Sequence, residues 1–424
     1  MDRRIYRNYL AILQEELIPA LGCTEPIALA YAAAKAKEIF DYVPERMEVW
    51  CSGNIIKNVK SVIVPHTGGL RGIAAAAAAG IAAGDAGREL EVLSGVGAEQ
   101  LPAIKAYLER TPIAVSPADG GLIFDIQISV EGQGRTAFVR IAGSHTNVVR
   151  VERNAEVLLE RACGQSGGPE PADRSLLTVE GIVAFAGAVE IADVKETLDR
   201  QIRMNRAIAQ EGLRGTWGAG IGKILLDAYG PGAHNRAKAW AAAGSDARMS
   251  GCELPVVINS GSGNQGMTAS LPVIVYAEEL NAGEEALYRA LVVSNLVTIH
   301  LKTGIGRLSA YCGATSAGCG AGAGIAYLHG GGTREIAHTI VNAVAINSGM
   351  ICDGAKASCA AKIASAVEAG LLGWQMQRHG SQFYGGDGII VKGVENTIKN
   401  VGRLAREGMA GTDREIISIM VEGC

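Results

Sequence analysis

In the segment ICDGAKASC, Cys352 and Cys359 are separated by seven positions. On an unbroken helix that spacing is two turns along one face, with about 10 Å between the backbones, too far for a disulfide. The Asp353-Gly354 pair argues against a regular helix at the start of the segment, and a loop there can turn both thiols toward one metal centre. Cys312, in LSAYCGATSAGC, offers a third thiol in a Gly/Ala setting where backbone can close around an inorganic core. Cys319, seven residues further on, is an alternative to it. Spacing alone leaves two readings open. The thiols ligate a cluster, or they are small buried hydrophobes, as free cysteines often are; the pattern matches neither the common ferredoxin spacings nor the zinc ones. If they ligate, three thiolates in place of four leave one iron with an open position, which suits a Lewis acid better than an electron carrier.

Cys23, in LGCTEP, precedes Thr24, which is placed to cap a helix that has Pro26 near its start. Unpaired N–H groups and the macrodipole at such a helix entrance favour the thiolate, making Cys23 a candidate base or nucleophile; simple turn packing is the other reading. The adjoining Glu25 either opposes the thiolate or accepts a capping bond. GSHTNV (143–148) gathers Ser144, His145, Thr146 and Asn147, a dense set of donors for so apolar a chain, with a satisfied loop cap as the alternative. NSGSGNQG (259–266) lacks the Lys-Ser/Thr ending of a phosphate loop. It reads as a turn offering backbone N–H groups and the Asn264 and Gln265 amides to a small anion such as a carboxylate. His66, in IVPHTGG, sits where a strand gives way to a turn, either as a binding residue or facing solvent. Cys51, Cys163, Cys252 and Cys424 have no partners at suggestive spacing and read as structural.

These residues are far apart in the chain, so the elements between them must gather them. Helical spacing runs from Tyr6 to Leu17 and ends at Pro19, and an Ala-rich helix is expected from Ile27 to Phe40. Between Arg46 and Val64 the stretches MEVWCSG and VKSVIV alternate as strands do, and an Ala/Gly helix follows from Gly72 to Gly84. Extended runs at Ile113–Val115, Leu122–Val130 and Thr136–Ile141 accompany a helix containing Leu101–Leu108. Residues 46–163 therefore read as an α/β lobe, and GQSGGPEPADRS (164–175) as a linker. Helical patterns dominate residues 176–424. The expected fold class is α+β: a mainly α-helical, Ala/Gly-rich lobe that includes the helices of residues 1–45, with an inserted α/β lobe and the site in the cleft between them.

A chain of 424 residues exceeds what one core usually holds. Its 56 glycines and 5% aromatics describe helices that approach closely over small side chains. A formal net charge of -4, with no basic stripe, argues against nucleic acid as a partner. The apolar stretches 72–84 and 182–189 are shorter than the roughly 20 residues a membrane span needs. The opening MDRRIYRNYLAILQEELIPAL is amphipathic and charged throughout, unlike a signal peptide, so a cytoplasmic location with reduced thiols is expected.

Taken together, LGCTEP, SGNIIKNVKSVIVPHTGG, GSHTNV, NSGSGNQG, RLSAYCG and ICDGAKASC resemble the L-cysteine desulfidase family, relatives of the iron–sulfur L-serine dehydratases. The strings run in family order from residue 21 to residue 359. The resemblance implies a 4Fe-4S cluster on Cys312, Cys352 and Cys359, with Cys312 preferred over Cys319, and Cys23 as the thiol proton acceptor. It implies a non-redox elimination that converts L-cysteine to pyruvate, ammonium and sulfide without pyridoxal phosphate, Lys356 helping to position an anion. Water elimination from L-serine is the alternative, since thiol and hydroxyl differ little in size. A non-enzymatic iron–sulfur sensor and a cluster-free metabolite-binding protein are readings from other classes. A small amino acid is the expected ligand, and a homodimer fits so Ala/Gly-rich a surface.

Overall fold

The computed structural model describes residues 1–163, 171–306 and 308–422. Most of the expected linker, and Cys424, lie outside the described residues. The chain begins with α1 (Arg3–Glu16), whose N-cap Asp2 accepts the N–H groups of Arg4 and Ile5 at 2.6 and 3.3 Å. The short strand β1 (Pro19–Leu21), α2 (Thr24–Phe40), β2 (Arg46–Cys51), α3 (Gly53–Val59), α4 (Gly72–Ala83) and α5 (Leu101–Arg110) follow. Strands β3 (Ile113–Pro117), β4 (Asp125–Gly132), β5 (Arg135–Ala142), β6 (Val148–Arg153) and β7 (Glu156–Glu160) complete a six-stranded sheet in the order β3-β2-β4-β5-β6-β7. Only the β2–β3 pair is parallel; β2 meets β4 antiparallel with Val49 opposite Ile128.

The rest is helical: α6 (Val179–Ala188), α7 (Ile191–Arg214), α8 (Ile221–Tyr229), α9 (Ala233–Met249), α10 (Gly263–Glu279), α11 (Glu284–Ile305), α12 (Gly313–Leu328), α13 (Thr333–Asn347), α14 (Cys359–Arg378), α15 (Val394–Arg403) and α16 (Ala410–Glu422), with one short strand, β8 (Pro255–Val257). The α+β class expected from the patterns is the class observed. Among the described residues no helix is long and apolar enough to cross a membrane.

The buried side chains fall mainly into two cores. One joins the sheet face bearing Met47, Val49, Ile126 and Ile128 to α2 and α4, following the alternation of buried and open positions along β2 and β4. The other joins α1 to the helices from α6 onward. Within each, small residues bring backbones together. A Cβ at Gly80 of α4 would lie 2.2 Å from the Ala30 carbonyl of α2, and one at Gly318 of α12 would lie 2.1 Å from the Ala366 carbonyl of α14.

Several expectations are corrected. Residues 1–45 do not join one lobe: α1 packs with the helical core, while Ile27 to Phe40 of α2 lie against the sheet. The VKSVIV stretch is not a strand. Helix α3 ends on its first residue, Val59, a turn follows at residues 60 and 61, and only a bridge from Ile63 to Arg71 is sheet-like. Strands β6 and β7 were not anticipated, because Arg150 and Glu152 break up the valines of β6 and the apolar run of β7 is only three residues between two glutamates.

Candidate active site

The segment that carries Cys23 is held by β1, whose antiparallel pairing with β8 sets Pro19 opposite Val257 and Leu21 opposite Pro255. This pairing delivers the LGCTEP turn to the loop that starts α10, where the Thr24 hydroxyl donates to the Gly261 carbonyl at 3.0 Å. Thr24 is thereby engaged away from its own helix, and the N-cap of α2 is Cys23, not Thr24. Asn264 and Gln265, expected in a turn, form the first turn of α10. Ahead of them Ser260 adopts a left-handed φ of 51°, an uncommon conformation for a residue with a side chain. Its hydroxyl donates to Asn259 Oδ1 at 2.9 Å, and Asn259 Nδ2 donates in turn to the fully buried Asn295 at 3.0 Å.

The cysteine segments are tied to each other. A bridge pairs Tyr311 with Ile351, the Cys312 N–H donates to the Met350 carbonyl at 3.0 Å, and the Cys352 N–H donates to the Ala310 carbonyl at 2.6 Å. Residues 352–358 form the loop anticipated at Asp353-Gly354, and Cys359 is the first residue of α14. Gly354, at φ 92°, presses on α3: a Cβ there would lie 2.3 Å from the Lys57 carbonyl, so only glycine fits.

The result is a partly enclosed cavity with about 110 Å³ of space for water-sized solvent. Cys23, Cys312, Cys352, Cys359, His145, Asn264 and Gln265 all line it. The N-termini of α2, α10, α12 and α14 meet at its wall, and among the described residues none of the four has a side-chain cap. The aligned dipoles of the four helices, with orphan N–H groups at the starts of α2 and α10, make the cavity attractive to anions.

Its thiols are not equivalent. Cys312 and Cys352 share a hydrogen bond, which with burial raises the Cys312 thiol. The same bond, aided by the charges of Lys57 and Lys302, brings Cys352 down to about 5. Burial raises Cys359, whose Sγ lies 3.7 Å from the Gly354 carbonyl. Cys23 corrects the expectation of a lowered pKa. Burial first, and then the Glu25 carboxylate, raise it well above the ordinary thiol value despite its place at a helix start. Its Sγ–H points to Glu25 Oε2 at 3.4 Å, while Asn58 Nδ2 donates to Glu25 Oε1 at 3.2 Å. Cys23 also packs beside Ala355 and Cys359. Among the described residues no three His, Cys, Asp or Glu side chains converge on a single metal ion.

Other expected residues lie elsewhere. Of the GSHTNV set only His145 reaches the cavity, edge to face with Phe124 at 4.8 Å. Ser144, Thr146 and Asn147 belong to the turn between β5 and β6, which Asn147 closes by donating to the Ala142 carbonyl at 2.9 Å. Cys319 is interior to α12, in the helical core. His66 bonds the Val96 carbonyl at 3.0 Å. Lys356 folds back on Asp353 and on the Gly354 carbonyl, at 3.2 Å from the latter. The cavity's cations are instead Arg248, Lys302 and Lys362. Arg248 ends a helix that otherwise reads as Ala-rich packing, and its isolation there was the available signal.

Fold and cavity together define an α+β protein with a thiol-lined site where helix N-termini from both parts of the chain meet. The chain belongs to the Serine dehydratase alpha chain family, whose profile matches residues 87–418. It is 60% identical over 421 residues to a UPF0597 protein of Desulfitobacterium hafniense, covering 99% of this chain and 98% of that one. UPF0597 proteins of Finegoldia magna and Lachnoclostridium phytofermentans are 49% and 48% identical over 417 residues, each covering 98% of this chain and 100% of the relative.

Proposed function

We propose that the protein is an iron–sulfur-dependent lyase that removes the β-substituent of a small amino acid, acting on L-cysteine to release sulfide. The observation that carries this reading is the meeting of Cys312, Cys352 and Cys359, from two separate segments, with Cys23 on the wall of one anion-attracting cavity. Three soft thiol donors on one cavity wall are a ligand set that suits an iron–sulfur cluster. Cys312, Cys352 and Cys359 would hold a 4Fe-4S cluster, which when bound supplies Lewis acidity at the iron that lacks a protein thiolate.

The chain's own groups divide the remaining work. Cys23, held beside Glu25, as thiolate accepts the substrate's α-proton, and the causes that raise its pKa make that thiolate a strong base. The electron pair of the broken Cα–H bond forms the new double bond as the β-group departs with its own pair. The released aminoacrylate tautomerises and hydrolyses to pyruvate and ammonium. The N-terminus of α10, with Asn264 and Gln265, orients the anionic end of the substrate. L-Serine, with water as the leaving group, is the second reading, favoured by the family to which the chain belongs.

Anaerobically purified protein, assayed for iron and sulfide and then for pyruvate from L-cysteine and L-serine side by side, tests both readings. Release from cysteine well above serine is the expected result. Absence of pyruvate from either removes the lyase. Cys23→Ala should keep its iron and lose elimination by about 100-fold or more, the usual weight of a general base; wild-type turnover in that variant would remove Cys23 from the chemistry.

A further inference from the structure

Arg248, at the end of α9, is 2% exposed and lines the cavity. One Nη donates to Asn264 Oδ1 at 3.2 Å, but Nε meets no acceptor among the described residues. Burying a guanidinium N–H without an acceptor is costly, so such a group marks a place where a ligand completes the bond. Of the other cavity cations, Lys362 is paired with Asp353 and Lys302 is engaged as well. The guanidinium reaches the start of α10 because residue 263 is glycine: a Cβ there would lie 2.5 Å from Arg248 Nε. Two positions on, Gln265 is 6% exposed, and its Oε1 has no donor among the described residues. An unmet cationic donor and an unmet acceptor, on one wall and beside the orphan N–H groups of a 17-residue helix, require a ligand with an anionic end and a donor close together.

We propose that Arg248 and the N-terminus of α10 anchor the carboxylate of a free α-amino acid, and that Gln265 Oε1 and the Glu25 carboxylate receive its ammonium. This subsite rests on the reading of the ligand as an amino acid and extends it. It makes the zwitterion, not the β-substituent, the feature selected at the α-carbon. Amides and esters keep a carbonyl but lose the charge opposite Arg248, and α-hydroxy acids offer Gln265 a neutral O–H and lose the charge opposite Glu25.

L-Alanine tests this without chemistry, because it carries both groups and has no β-leaving group. Anaerobic titration calorimetry on the cluster-loaded protein should show L-alanine binding more tightly than L-alaninamide or L-lactate. Arg248→Gln should weaken L-alanine by about 10- to 100-fold, the weight of hydrogen bonds to a charged group. It should also erase the preference over alaninamide while leaving iron and sulfide content unchanged. Gln265→Leu should weaken L-alanine and reduce its preference over lactate while leaving that over alaninamide. Should Arg248→Gln fail to fold, Arg248→Lys keeps the charge without the planar fork, and about tenfold weaker binding is expected. Wild-type affinity for L-alanine in these Arg248 variants overturns the proposal, as does a wild-type protein that ignores L-alanine or binds alaninamide equally well. Arg248-dependent alanine binding without pyruvate from cysteine or serine would leave the subsite standing and remove the lyase. Cysteine turnover by Arg248→Gln at an unchanged KM would remove the subsite alone.

Discussion

Cys312 and Cys319 share helix α12, and the helix separates their roles. Cys312 is its N-cap, on the cavity wall and bonded to Cys352. Cys319 is 1% exposed within the helix, and burial pushes its thiol up to about 12, so it stays protonated at neutral pH. Cys312→Ala should therefore lose bound iron and labile sulfide, whereas Cys319→Ala should retain both at a cost of about 1 kcal/mol of packing. The converse pattern in iron analysis would reassign the ligand. At this scale the motifs made the thiols visible, since their residue types are rare and their chemistry specific. What they hid was direction. Asn147 carries a donor a site needs but spends it on its own turn, and Arg248 is meaningful only beside Gly263 and Asn264, which are brought to it by the fold.

Elements in this protein are placed by how closely their backbones approach. Gly370 of α14 faces Gly318 of α12 so closely that a Cβ on it would lie 2.1 Å from the Gly318 carbonyl. Gly370→Ala should thus destabilise the protein by about 1–3 kcal/mol despite alanine's better helix propensity, and a denaturant midpoint unchanged or raised would contradict that. Because α12 and α14 each begin at a cysteine proposed as a cluster ligand, the same variant should also reduce iron retention. The helix α14 is further tied to α9 by Glu368, which bonds His234 at 2.8 Å and Lys238 at 2.7 Å. These partners hold the Glu368 carboxyl down to about 2, against 4.5 when free. A depressed folded-state pKa adds stability that is present above about 4.5 and lost as pH falls toward 2. Glu368→Gln should lower the melting temperature at pH 7 and converge on wild type near pH 2. The difference should stay below about 1 kcal/mol because the side chains are well exposed to solvent. The long helices were legible from composition and period. The lobe to which α2 belongs was not, because an Ala-rich helix buried on all sides carries no stripe to say which core it faces.

Across the whole molecule, one contact between distant parts of the chain bears directly on the cysteine loop. Lys57 of α3, its side chain 1% exposed, pairs at 2.5 Å with Asp413 of α16, and Asn54 donates to the same carboxylate at 3.0 Å. The Lys57 carbonyl backs Gly354, and its charge favours the thiolate of Cys352, so the pair joins α3, the cysteine loop and the C-terminal helix. Nothing in either local sequence links residues 57 and 413; only the packed lobes do. Asp413→Asn should leave the ammonium buried without its counter-charge, costing about 3–5 kcal/mol in chemical denaturation and loosening the loop that carries Cys352. Replacing both partners, as Lys57→Met with Asp413→Leu, removes the stranded charge and should recover most of that stability. Iron analysis of the double variant then separates two roles for Lys57. Iron retained at the wild-type level assigns the pair to holding the lobes together. Iron lost from a protein of restored stability assigns the ammonium to stabilising the Cys352 thiolate, and with it the cluster.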